Sequence, residues 1–134
     1  MTMTRLIVVL AGLLSLTGVL AGPASATTVE DCQAQLGALR AAVEVEPSFV
    51  NPVKDRTGLL GKLDAAAAKL AEGKNADAIQ KLTNFQDTLR ALADQPKPKI
   101  DPVAAQRLAG RGDPATLQPG AQDVIDCINK IGTV

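Results

Sequence analysis

The chain has 134 residues, with 14 basic and 14 acidic side chains, no histidine, tryptophan or tyrosine, two phenylalanines and two cysteines. Balanced charges spread along the sequence create no field for nucleic acid or an anionic membrane, and too few rings are present to stack bases. The lack of histidine removes the commonest general base and metal ligand.

Residues 1–26, MTMTRLIVVLAGLLSLTGVLAGPASA, read as a secretory signal peptide. Arg5 supplies the positive leading region, and Leu6 to Leu20 form an apolar core too short and too interrupted by glycine for a comfortable membrane span. Ala24-Ser25-Ala26 is a small-x-small cleavage site, so the mature chain is expected to start at Thr27, with no stable membrane insertion after cleavage. The alternative is an uncleaved anchor. A lipoprotein signal would place a cysteine directly after the small residues, whereas Cys32 follows Val29-Glu30-Asp31. Residues 27–134 then make one ordinary domain with a single acidic residue in excess.

Everything after residue 27 follows a helical period. Val29, Cys32, Leu36, Leu39 and Val43 step three and four apart, Thr28 and Asp31 resemble a capping pair, and Pro47 ends the segment. A second helix is expected from Asn51-Pro52-Val53, because Asn caps and Pro suits the first helical position. Its apolar stripe is Val53, Leu60, Leu63, Ala67 and Leu70, and Gly73 sits where a helix end needs a left-handed residue. Gly58 and Gly61 weaken this helix; they either allow close helix approach or are simply tolerated. A third helix restarts with Asn75 as its cap and Ala78, Leu82, Phe85, Leu89 and Leu92 inward. So short a connection makes the two helices an antiparallel hairpin.

Residues 94–101, DQPKPKID, read as a stiff extended connection, with a docking motif for a proline-reading domain as the alternative. Asp101 and Pro102 repeat the helix-start logic, with Val103, Ala104 and Leu108 inward. Residues 110–120, GRGDPATLQPG, interrupt with Gly and Pro. A last helix runs from about Ala121 to Ile131, with Val124, Ile125, Ile128 and Ile131 inward and Gly132 closing it.

Two cysteines in an exported chain predict one disulfide, Cys32–Cys127, rather than two free thiols. The pair tests the layout. In an up-down-up-down four-helix bundle whose last arm is split into two short helices, the start of the first helix and the end of the last share a pole, as a bridge requires.

The pattern Leu60, Leu63, Ala65, Ala66, Leu70, Gly73, Asn75, Ala78, Leu82 and Phe85 resembles the helical hairpin of the FIMAH-type domain, a module of exported bacterial proteins often appended to larger extracellular enzymes or surface proteins. The likeness extends loosely through KIDPVAAQRLA and AQDVIDCINKI; residues 29–45 fall outside it, and the 110–120 insertion departs from it. The resemblance implies a noncatalytic accessory or interaction role and no catalytic residues.

The residues themselves offer little chemistry, so no enzyme activity, cofactor or metal is expected. Ser48 is the only serine after residue 26, with no base or oxyanion loop beside it. Asp123 and Asp126 share a helix face and both could reach one cation, but without calcium-loop spacing they read as a solvated face. Glu44 and Glu46, two apart, do not face each other on a helix. Arg111-Gly112-Asp113 matches the tripeptide of integrin-type adhesion, yet Gly, Asp and Pro also cluster in turns for backbone reasons.

The expectation is an all-α module, secreted to the extracellular space or the cell wall, that binds an unknown protein or envelope component and no nucleic acid. The alternative is a small carrier of an apolar ligand. Small side chains argue against a large cavity, though a groove could open beside the Gly-rich arm.

Overall fold

The computed structural model describes residues 26–131; the segment before Ala26 that reads as a signal peptide, and Gly132, lie outside the described residues. Within them the chain is all-helical: α1 (Val29–Val45), a π-helical turn (Pro52–Arg56) leading into α2 (Thr57–Ala71), α3 (Asn75–Ala93), α4 (Pro102–Ala109) and α5 (Ala121–Asn129). The only extended pairings among these residues are isolated bridges, Thr27 with Ile131 and Asp113 with Gln118. No helix here is long and apolar enough to cross a membrane.

The start of α1 is set by a full capping box: the Asp31 amide donates to Thr28 Oγ1 at 3.2 Å, and the Thr28 amide donates back to Asp31 at 3.0 Å. Cys32, Leu36, Leu39 and Val43 are buried as their spacing predicts. At the other end Arg56 donates to the carbonyls of Val43 (3.2 Å) and Glu46 (2.6 Å), placing a cation on helix acceptors. Its guanidinium lies 5.4 Å from the Phe49 ring centre. Glu46, almost fully buried, accepts from the Ser48 amide and faces Arg107 at 3.6 Å.

The inward face of α2 differs from the expected stripe. Leu59, Leu63, Ala66 and Leu70 are buried, Leu60 and Ala67 pack at the margin, and Val53 is 81% exposed. For Val53 the cause is the π-helical turn. Its wider winding puts residues 52–56 out of angular phase with the α-helix behind them. Asn51 does accept from the Lys54 amide as a cap, with Pro52 at the first position. Gly58 and Gly61 bring no helix close: a methyl built on either meets open space.

Gly73, at φ 78°, turns α2 into α3, and the Lys74 amide reaches back to the Lys69 carbonyl at 2.9 Å. The turn is one residue tighter than expected. Lys74 occupies the cap position without a side-chain bond, and Asn75 is already helical, its Oδ1 buried without a partner. Ala78, Leu82, Phe85 and Leu89 are fully buried and Leu92 is partly so.

The 94–101 connection is tied down at both ends, by Lys99 N–H to the Leu92 carbonyl (2.8 Å) and Val50 N–H to the Lys99 carbonyl (2.9 Å). It buries Ile100, a core residue that no helical period reveals. Asp101 caps α4 as expected, accepting from the Ala104 amide. The buried face of α4 is Ala104, Ala105, Leu108 and Ala109; Val103 is 64% exposed, since Ile100 already fills the space at this end.

The most extensive helix interface is α2 on α3. α1 packs on α2 and α5, while α4 and α5 each rest on α3 and touch one another little. The expected final arm is therefore two pieces docked separately. Cys32 and Cys127, 95 positions apart in sequence, are joined, with their Cα atoms 5.6 Å apart. Replacing both cysteines by alanine should lower stability in urea unfolding by up to about 4–5 kcal/mol, the chain-entropy value for a loop of this size; an unchanged midpoint would contradict that role. Gly61→Ala, mid-helix and unobstructed, should raise stability by about 0.5–1 kcal/mol, readable as a higher melting temperature.

Candidate functional site

The segment 110–120 is an ordered loop locked to both flanking helices. Asp113 and Gln118 exchange backbone hydrogen bonds of 2.8 and 3.1 Å, closing a small hairpin. The Asp113 carboxylate accepts from the Ala115 amide at 2.9 Å, a local turn of the kind Asp favours. Gly112 lies at φ 70°, and a Cβ there would fall 1.9 Å from the Gln118 carbonyl oxygen. Only glycine fits. From the hairpin, Gln118 Nε2 reaches across 80 positions to donate to the Ala38 carbonyl on α1 at 3.0 Å.

Arg111 turns to α5, pairing with Asp126 and lying 3.8 Å from Asp123. Asp126 belongs to a chain of hydrogen bonds that starts in the core. Gln86, 4% exposed on α3, donates to the Ala109 carbonyl (2.7 Å) and to Gln122 Oε1 (3.1 Å). Gln122 Nε2 in turn donates to Asp126 Oδ1 at 3.1 Å. Asp123 is held as well, accepting from the Gly120 amide at the start of α5. The sequence reads Asp123 and Asp126 as a solvated face; the structure instead joins both to Arg111.

These anchors leave an open groove of about 860 Å³ along the seam between α1 and α5, roofed by the hairpin and floored in part by Cys127. Asp31, Gln35 and Ala38 line one wall, Asp123, Asp126 and Lys130 the other, with Arg111, Leu117 and Pro119 from the loop. A groove beside the Gly-rich arm is what the sequence allows, but its lining mixes charged side chains with apolar ones such as Ala34, Leu117 and Pro119. Leu117 stands at the rim, 87% exposed and at φ 59°, a backbone conformation that costs a leucine energy. Gln35 Oε1 is buried without a hydrogen-bond partner. A second concavity of about 330 Å³ lies on the other side of the hairpin, between Ala42, Glu46, Arg107 and Thr116.

Of the residues singled out from sequence, Asp31, Asp123, Asp126, Cys127 and the two ends of Arg111-Gly112-Asp113 line the groove. Gln35, Gln118 and Gln122 carry no sequence signal, because their roles depend on partners in other elements. Among the described residues no cluster of three or more cysteine, aspartate or glutamate side chains is arranged to hold a metal ion. Glu44 and Glu46 serve separate contacts, with Arg40 and Arg107.

The hydrogen bond from Gln122, then that from Arg111, holds the Asp126 carboxyl below its ordinary pKa, and Lys130 adds to the effect. A depressed carboxylate contributes stability above the ordinary aspartate range of about 3.9 and loses it as pH falls through its own lower value. In a carbon-13 titration Asp126 should therefore ionise below an ordinary aspartate, and Gln122→Ala or Arg111→Ala should each raise its pKa. An Asp126 indifferent to both changes would show that these bonds do not form in solution.

Comparison with protein-family models, with curated proteins and with solved structures returned no match.

Proposed function

We propose that the chain is a secreted, noncatalytic helical module that binds another polypeptide or an envelope component outside the cytoplasm. One observation carries this reading: the groove between α1 and α5 is built in advance. The Gln118 bond to Ala38 and the Arg111 pairing with Asp126 fix the hairpin that roofs it. A partner entering a preformed site is spared the cost of ordering it. The signal-like residues 1–26 and a disulfide suited to an oxidising compartment favour a place outside the cytoplasm. The likeness of residues 60–85 to the FIMAH-type hairpin points to the same accessory role.

A carrier of apolar ligands calls for an enclosed apolar cavity. Both concavities described here are open and carry ionic side chains, Arg111 with Asp123 in one and Glu46 with Arg107 in the other. An adhesion role for Arg111, Gly112 and Asp113 would compete with the internal contacts that already engage Arg111 and Asp113.

Immobilised protein should retain a polypeptide from culture supernatant or a cell-wall fraction, and Leu117→Asp should abolish the retention without lowering the melting temperature. Copurifying lipid, with no polypeptide retained, would replace this reading with the carrier.

A further inference from the structure

The link between Cys32 and Cys127 is approachable from one side. Cys32, 0% exposed, sits on the buried stripe of α1, and the next residue pins this turn to α2: the Gln33 side chain donates to the Ala67 carbonyl at 3.0 Å. Cys127 keeps 7% exposure and forms part of the groove floor. Exchange of a disulfide depends on which sulfur an attacking thiolate reaches and on how well the other sulfur leaves. Here the two effects oppose each other. Attack on Cys127 expels a thiolate at Cys32 into an apolar core, which disfavours the charge and slows the step. Attack on Cys32 would expel the better-solvated sulfur, but it requires the fold to open around a fully buried residue. Cys127 is met from the groove as it stands, so access decides.

We propose that Cys127 is a thiol-exchange site, at which a small aliphatic thiol entering the groove both unlinks α1 from α5 and occupies the groove. The thiolate's lone pair forms a new S–S bond to Cys127 Sγ. The bond between Cys32 and Cys127 breaks, its electron pair leaves on Cys32 Sγ, and that sulfur takes a proton from water. Cys127 then carries the thiol as a mixed disulfide, between the wall of Asp31 and Ala38 on α1 and that of Asp123 on α5. The helices stay side by side, because contacts independent of the sulfurs remain: Gln33 to Ala67, Gln118 to Ala38, and the Thr27–Ile131 bridge. Attack by the freed Cys32 thiol on the mixed disulfide restores the link and releases the small thiol, so the site follows the thiol balance of its surroundings. The proposal rests on the reading of the groove as a docking site and adds its regulation, since an adduct on the floor excludes the partner.

The test compares Cys32→Ser and Cys127→Ser in the full secreted chain, which lose the link equally and leave no second thiol to reverse an adduct. The probe is hydroxyethyl disulfide, the uncharged oxidised form of 2-mercaptoethanol: the protein thiolate keeps one half and displaces the other. By mass spectrometry, Cys32→Ser should take up one mercaptoethanol on Cys127 at least about tenfold faster than Cys127→Ser takes it up on Cys32, because a fully buried group reacts only through opening. In concentrated urea the two rates should converge. The linked wild-type chain, quenched with acid during exposure to 2-mercaptoethanol and then digested, should carry its adduct on Cys127. Immobilised Cys32→Ser should lose its retained polypeptide once the adduct is formed.

Equal native rates in two variants that remain helical would overturn the proposal. So would an adduct on Cys32 of the linked chain, or no adduct there at a thiol concentration that modifies the chain in urea. If the variants unfold without the link, the mapping on the linked chain decides alone. A Cys127 adduct that leaves retention unchanged removes the regulation and leaves the docking reading standing. If the unmodified linked chain retains no polypeptide, the docking reading falls, and the mapped sulfur still reports where exchange occurs.

Discussion

The link between Cys32 and Cys127 makes neighbours of the first and last helices, and the groove is the seam between them. The Thr27–Ile131 bridge extends that contact, and the Gln118 bond to the Ala38 carbonyl closes it from above. Each joins residues far apart in sequence. Each depends on α1 and α5 lying side by side. Closing so long a loop carries a large entropic cost when it is left to weak contacts alone; a covalent link moves that cost into the unfolded chain.

The interior is filled by small and medium aliphatic side chains with Phe85 at its centre, and it takes in two polar residues, Glu46 and Gln86. That glutamine is accounted for, since its amide donates to the end of α4 and to Gln122 on α5. A buried polar network is affordable only when every member is satisfied. Here it orients outward, through Gln122 and Asp126, to Arg111 in the groove. The packing of α3, α4 and α5 thereby reaches the one guanidinium that crosses from the loop to the helix. The core and the candidate site are mechanically one unit.

Against this order stand a few features that internal packing does not explain: the strained, exposed Leu117, the unpartnered oxygen of Gln35, and the exposed valines 45, 50, 53 and 103. Two of the valines follow from local geometry. Val53 lies on the π-helical turn, and Val103 stands beside a core position already filled by Ile100. Leu117 and Gln35 have no such account, and both border the same groove.

Much of this was legible in the residues. The capping pair Thr28–Asp31, the turn at Gly73, the start at Asp101–Pro102 and the stripes of α1 and α3 are short-range effects, decided within three or four residues, so sequence determines them alone. The cysteine pairing was legible too, because two cysteines leave one intramolecular choice. The exposure of Val53 was not, since a π-helical turn rotates the residues leading into α2 by an amount no α-period contains. Nor were Ile100, Gln86, Gln118 or the partners of Arg111, whose roles are set by groups 12 to 80 positions away. Local chemistry wrote the helices; long-range hydrogen bonds and ion pairs, which exist only once the helices are packed, decided that a groove lies between α1 and α5 and which charges line it.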